Sequence, residues 1–309
     1  MTFGEDAGTS RLVVLFGGVG DQILWLSLLP EFRKRCGGSV VVMANQGGSR
    51  QIADFFQGQA YDWLESFKEP PSLQMPATTS HFQPLRVIRA SHIFFDERER
   101  YQLIGRFGIG IADLLRLILD IPADTAMTMP RVPDQARQAA AERMQAWGLP
   151  VGRTVLLSPW AHSWRCALPE QWWIDAVRDL TRRGYKVVTN VANRGRSIDM
   201  KGADQLGCIP GSQAVDLPLS DMIPFAELCG HFIGMRSGLC DLLARADAKK
   251  LVIYPYGEGI GHYLTGLPFD VACRFWSVAK AFDRPDVREE KVNSATPFDP
   301  ALLDAWLAA

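Results

Sequence analysis

The stretch VVLFGGVGDQILWLSLLPEFRKR, Val13 to Arg35, decides the fold. An apolar run of strand length stops at Phe16, and two glycines turn the chain. A helix predicted over Asp21–Arg35 follows, closing on Arg33, Lys34 and Arg35. Strand, glycine turn and helix in that order open a parallel α/β unit, since parallel neighbours need a crossover connection. Basic residues in the last turn complement the helix dipole. Asp21 has two readings. Aspartate is a favoured N-cap, and a carboxylate beyond the carboxyl end of a strand is also placed to take a proton.

The alternation continues outward. Ser39–Ala44, SVVVMA, reads as a strand and Gly48–Phe56 as a short helix, while Lys68–Pro84 is proline-rich and loop-like. Ala90–Phe95, ASHIFF, reads as a strand, followed by helical periodicity through Arg100–Ile121 and a helix over Gln135–Gly148. Leu149–Arg153, LPVGR, reads as a hinge, after which the pattern restarts. Strands are expected at Thr154–Pro159, Tyr185–Val191, Leu206–Gly211, His231–Met235 and Lys249–Tyr256. Helices are expected at Pro169–Arg183, Ser220–Gly230 and Gly238–Ala248. Short apolar runs without alternation suit parallel strands covered on both faces. The pattern predicts an α/β chain of two Rossmann-like doubly wound domains, 1–150 and 151–309, facing across a cleft. A last helix over Phe298–Ala309 can return to the N-terminal domain.

Bulk properties narrow the function. The chain has 309 residues, 47 % hydrophobic and 22 % charged, with a net charge of −1. Basic and acidic residues interleave, so nothing attracts nucleic acid or an anionic membrane in general. The first ten residues, MTFGEDAGTS, read as carrying no signal-like segment, and no apolar run approaches the length of a membrane span; Ile111–Ile121 is broken by Asp113, Arg116 and Asp120. Six scattered cysteines without a C-x-x-C pair suit reduced thiols in a cytoplasm.

Ligands of open α/β sheets bind beyond the carboxyl ends of the strands, which singles out four loops. Gly18, Gly20, Asp21 and Gln22 form the first, where glycines allow close backbone approach to a ligand. Ile23 stands where the third glycine of a dinucleotide fingerprint belongs, and no G-K-[ST] follows. In the second loop, the N–H groups of Gly238, Leu239 and Cys240 point out of a helix start beside Arg236, an arrangement that fits phosphate. The alternative there is that Ser237 merely caps the helix, with Asp241 complementing its dipole. The third carries His162, Ser163 and Arg165 between two prolines; the isolated histidine suits a structural or solvated role, and Arg165 suits the cleft, while His162 and Ser163, like Gly18, Gly20, Gln22, Asp241 and Glu258, are candidate donor or acceptor contacts. Glu258 and His262 in the fourth could meet ligand hydroxyls. No H-E-x-x-H, G-x-S-x-G or Cys/His zinc pattern occurs, so the motifs supply no metal ligands.

Three of these pieces, in order, resemble the heptosyltransferase-like family of glycosyltransferases. Leu15–Arg35 resembles its opening strand and GxGD turn, Thr154–Val188 its middle strand, loop and helix, and Arg236–Pro255 its DSGxxHLAAA signature. Residues 60–135 carry no likeness. The resemblance implies the B-type glycosyltransferase (GT-B) fold, with an acceptor-binding first domain and a nucleotide-sugar-binding second one. It implies inverting transfer from a nucleotide-diphosphate sugar to a saccharide or glycolipid of a bacterial surface glycan, lipopolysaccharide or capsule, without cofactor or metal. Peripheral contact with the inner membrane is left open. Asp21 falls at the catalytic-base position, and Arg236, Ser237, Gly238 and Leu239, with Arg165, at the diphosphate. The departures are specific. Cys166 stands where the phosphate-contacting lysine falls, Arg236 replaces the signature aspartate, and Asp241 replaces its histidine. ADP-heptose and lipopolysaccharide core are therefore not carried over. A nicotinamide-dependent oxidoreductase and a non-catalytic nucleotide- or saccharide-binding protein are the rival readings.

Overall fold

The computed structural model describes residues 11–15, 18–37, 39–45, 48–67, 86–90, 104, 107–161, 164, 166–191, 207–257 and 268–308. The chain divides into two compact units, residues 1–100 with 111–131, and residues 101–110 with 132–309.

The first unit is built of β1 (Arg11–Leu15), α1 (Val19–Cys36), β2 (Val40–Asn45), α2 (Gly48–Asp54), β3 (Trp63–Phe67), β4 (Arg86–Ala90) and α3 (Ile111–Leu119). Its described strands form a parallel sheet in the order β3-β2-β1-β4, with Val13 of β1 in register with Val42 and Ile88. β3 and β4 lack the long apolar runs that marked β1 and β2. Of the strand expected over Ala90–Phe95, only Ala90 is in a described strand, and the rest lies outside the described residues. The helical reading of Arg100–Ile121 holds for α3, whereas Gly108–Gly110 are not helical.

Helix α1 is buried almost all round over its first half, from Gln22 to Leu29. Pro30 lies inside it, and an interior proline removes one helical N–H and crowds the carbonyl a turn earlier. The neighbouring Ser27 carbonyl accepts the Thr128 N–H at 2.9 Å, which ties the segment after α3 to the opened turn. The helix stops where Gly37 takes φ +64, a left-handed conformation that glycine adopts without a Cβ penalty.

The second unit runs α4 (Asp134–Ala146), β5 (Thr154–Ser158), α5 (Glu170–Arg182), β6 (Lys186–Asn190), β7 (Gln213–Val215), α6 (Leu219–Cys229) and β8 (Gly230–Met235). It continues with α7 (Gly238–Leu243), β9 (Lys249–Tyr256), α8 (Phe269–Phe275), α9 (Val278–Phe282), β10 (Val287–Asn293) and α10 (Pro300–Ala308). The described strands form a parallel sheet ordered β10-β9-β8-β5-β6-β7. Counted within the unit this is 6-5-4-1-2-3, the order of a dinucleotide-binding fold read from its other edge. All five residues of β5 are buried, as a central parallel strand requires.

Three boundaries differ from the sequence expectation. Helix α4 belongs to the second unit, because Trp147 stacks edge-on against Phe225 at 5.8 Å and Arg137 pairs with Glu227 at 2.9 Å. The expected hinge is also part of that unit: Gly152 N–H bonds Leu228 O at 2.8 Å and Thr154 Oγ1 bonds Pro150 O at 2.7 Å. In place of the strand expected over Leu206–Gly211 stands the short β7, which begins at Gln213, while Pro210 and Gly211 make a turn. The last helix, α10, packs on the second unit, with Trp306 edge-on to His231 at 5.7 Å and Lys249 Nζ on Leu307 O at 2.7 Å.

Candidate functional site

A parallel sheet whose strand order reverses leaves a crevice at the switch, where neighbouring loops diverge to opposite faces. In the first unit the switch lies between β1 and β4, so the turn after β1 stands at it. In the second it lies between β5 and β8, which brings the loops after Ser158 and Met235 together.

In the first unit, Gly18 is the N-cap of α1 and Asp21 is its third helical residue, not the N-cap. Asp21 Oδ2 accepts the Gly18 N–H at 3.0 Å. That is the returning half of a capping box, and glycine has no side chain to supply the other half. The carboxylate is half-buried and held facing the turn. It occupies an N–H that a pyrophosphate would need, which speaks against dinucleotide binding here. Gly18 is exposed, whereas Gly20 is buried and Gln22 is only 4 % exposed. The expectation that Gly20 and Gln22 meet a ligand is corrected accordingly: helical geometry turns them into the packed side of α1.

In the second unit the loop after β8 is built around a buried ion pair. Arg236 is 6 % exposed and Asp241 2 %. The guanidinium grips both carboxylate oxygens, at 2.8 and 2.9 Å, in the fork geometry that arginine favours. Its Nε–H bonds Trp276 O at 2.7 Å, and Nη1 also bonds Ser237 O at 2.8 Å. Burial works against the charge, but Asp241, with help from Tyr254 and Cys240, overcomes it, so the Arg236 pKa lies above its ordinary value. The expectation that Arg236 faces diphosphate oxygens is corrected: its hydrogen bonds are spent inside the protein. Asp241 is likewise enclosed rather than presented to donor or acceptor.

What this pair leaves outside is the turn it holds. Ser237, extended at φ −153 and ψ 172, is the N-cap of α7, yet its hydroxyl makes no capping bond. The simple-cap alternative therefore fails for its side chain. Ser237 and Gly238 are half-buried, and Leu239 is buried. Cys240 N–H turns back onto Ser237 O at 2.9 Å, so it does not point outward as expected. Gly238 and Leu239 carry the first helical N–H groups, which have no preceding turn to bond.

On the β5 side, Trp164 anchors the loop. It is 4 % exposed, donates to Pro255 O at 2.8 Å and stacks edge-on against Tyr254 at 5.4 Å and Phe269 at 6.1 Å. Its flanking residues His162, Ser163 and Arg165, like Glu258 and His262 after β9, lie outside the described residues.

A second layer escaped the sequence reading. Glu289 Oε1 accepts the Tyr254 hydroxyl at 2.5 Å and the Val278 N–H at 2.7 Å, while Oε2 accepts the Ser277 hydroxyl at 2.5 Å. Burial pushes the Tyr254 phenol well above its usual range, so it is kept as a donor. No polar–apolar alternation in VREEKVN marks it as a strand; once β10 forms, strand geometry puts Val287, Glu289 and Lys291 on one face.

Among the described residues no three His, Cys, Asp or Glu side chains gather as a metal set, and no helix is long and apolar enough to cross a membrane. No family model matches the chain, and no curated protein matches it. Solved structures do. The glycosyl transferase family 9 protein of Veillonella parvula DSM 2008 superposes with a TM-score of 0.58 at 14 % identity, over 97 % of this chain and 88 % of that one. E. coli ADP-heptose LPS heptosyltransferase II gives 0.52 at 12 %, covering 97 % and 98 %. E. coli heptosyltransferase WaaC with ADP gives 0.50 at 14 %, covering 97 % and 99 %. The chain is thus similar in structure to the heptosyltransferase-like glycosyltransferases, and at these identities what it shares with them is the α/β fold with its parallel sheets.

Proposed function

We propose that this chain is an inverting, metal-independent glycosyltransferase of GT-B type, moving a sugar from a nucleotide-diphosphate donor to a saccharide or glycolipid acceptor of a bacterial surface glycan. The observation that carries the reading is the Ser237–Gly238 turn, set at the switch of the second sheet with its serine hydroxyl unspent on capping. Two structural neighbours are nucleotide-bound: WaaC with ADP, and TibC with ADP-D-β-D-heptose, the latter at a TM-score of 0.51.

In this reading Ser237 Oγ and the N–H groups of Gly238 and Leu239 hold the diphosphate. Dipoles fixed before reaction oppose charge on a leaving group without reorganising. Since Arg236 is committed elsewhere, Arg165 is the cation assigned to the phosphates. Asp21, oriented by Gly18, takes the proton of the acceptor hydroxyl as it attacks the anomeric carbon from the face opposite the leaving diphosphate. The C–O bond to the acceptor forms as that to the diphosphate breaks, inverting the centre. No cofactor takes part. The reaction belongs in the cytoplasm, with peripheral contact at the inner membrane when the acceptor is lipid-borne.

The test is Asp21→Asn. An asparagine oxygen still accepts the Gly18 N–H, so α1 keeps its start, while loss of a general base lowers transfer by about 10²-fold or more. Nucleotide affinity stays at the parent level. Equal turnover in the variant returns Asp21 to a capping role. One observation favours a second reading, a nucleotide- or saccharide-binding protein without chemistry: the cation beside the turn is buried and neutralised. Donor turnover separates the two.

A further inference from the structure

The half-buried Ser237–Gly238 turn is held from beneath by two successive groups of hydrogen bonds. Arg236 ties it down through Ser237 O and Asp241, and the Arg236 guanidinium itself donates to the Trp276 carbonyl through Nε–H. That carbonyl is in a turn between α8 and α9, far along the chain. Glu289 on β10 fixes this turn by accepting both the Val278 N–H and the Ser277 hydroxyl. Ser277 Oγ in turn accepts the Lys280 N–H at 3.1 Å and caps α9. Tyr254 lies between, its hydroxyl 3.2 Å from Trp276 O and 2.5 Å from Glu289 Oε1. One hydroxyl hydrogen serves one bond, and the shorter contact, to the carboxylate, takes it.

We propose that Glu289 is a positioning residue for the Ser237–Gly238 turn, acting through the Trp276 carbonyl and Arg236. The proposal rests on reading that turn as the diphosphate site. The physical ground is that an arginine with all its partners in place has one orientation. Were the Trp276 carbonyl to move, Nε–H would be left buried without an acceptor, and the guanidinium would shift to recover one. Both the Asp241 fork and the Ser237 O bond would move with it. Glu289 sits on the edge strand of its sheet, so its truncation removes the network without opening the core.

The experiment compares the parent, Glu289→Ala and Glu289→Gln in two measurements. The first is amide hydrogen exchange over Arg236–Leu243, with β5 and β6 as reference. Glu289→Ala speeds exchange in the turn by roughly 3- to 30-fold and leaves β5 and β6 at the parent rate. Glu289→Gln, which keeps one acceptor oxygen, shows a smaller change. The second is calorimetry with whichever of ADP, GDP, UDP, CDP or TDP the parent binds, where Glu289→Ala weakens affinity by a similar factor. Unchanged exchange in the turn, acceleration spread over the whole sheet, or parent-level affinity in Glu289→Ala overturns the proposal. A parent that binds no nucleoside diphosphate sinks the proposed function instead, and the exchange measurement still decides the role of Glu289.

Discussion

Replacing Asp241 by alanine tests the ion pair at the head of α7. Arg236 would keep its positive charge, since guanidinium does not release its proton, but it would lose a two-bond partner while 6 % exposed. Breaking a buried pair on one side costs about 3–5 kcal/mol, because the remaining charge is uncompensated. For a unit of this size, that lowers the melting temperature by about 6–20 °C. A first-turn acid that merely complements a helix dipole is worth only about 0.3–1 kcal/mol. The two accounts are therefore separable by urea denaturation followed by circular dichroism. Replacing both partners, Arg236→Met with Asp241→Leu, should recover most of the lost stability, since two apolar side chains leave no stranded charge. It should not recover nucleotide binding, because the turn loses the bond to Ser237 O. A loss below about 1 kcal/mol in Asp241→Ala refutes the reasoning.

Three further outcomes are expected. His231, held between the Tyr185 and Trp306 rings, has its pKa lowered below 6.5, chiefly by burial, with Lys249 and Arg153 adding to the shift. The unfolded chain then binds the proton more readily, so stability is full above that value and falls as pH drops below it. Melting curves from pH about 7 to about 5 should decline more steeply for the parent than for His231→Phe, and parallel curves contradict this. Gly234→Ala should lower stability by about 1–3 kcal/mol, because a Cβ there would stand inside van der Waals contact with the buried Phe232 ring; an unchanged denaturation midpoint contradicts it. Asp21→Asn should change stability by no more than about 1 kcal/mol while transfer collapses, and a large stability loss would mean the carboxylate is chiefly a cap.

Much of the fold was legible because its central strands are short apolar runs, and in the second sheet β5 and β9 are buried on both faces. RLVVL, TVLLS and KKLVIYPY could hardly be anything else, and each is a strand. Edge strands were not legible: VREEKVN is charged, and among the described strands β10 is at the rim of its sheet, where such a composition is tolerated. Helix α4 was assigned to the wrong unit because sequence order says nothing about which apolar face an Ala-rich helix meets, and Trp147 meets Phe225. At the site, the loops were found from the strand–glycine–helix pattern, but the use of their charges was not. Arg236 and Asp241 lie five residues apart, and no periodicity shows that they grip each other beneath the turn. Trp164 was visible in its loop, yet its anchoring bond to Pro255 O joins residues 91 positions apart.

The most direct measurement is a crystal structure with the nucleoside diphosphate that raises the melting temperature most in a panel of ADP, GDP, UDP, CDP and TDP. Its phosphate oxygens should lie within about 3 Å of the Gly238 and Leu239 nitrogens and of Ser237 Oγ, with Arg236 still bound to Asp241. A diphosphate seated elsewhere, or an Arg236 swung out to meet it, would contradict the assignment of that turn.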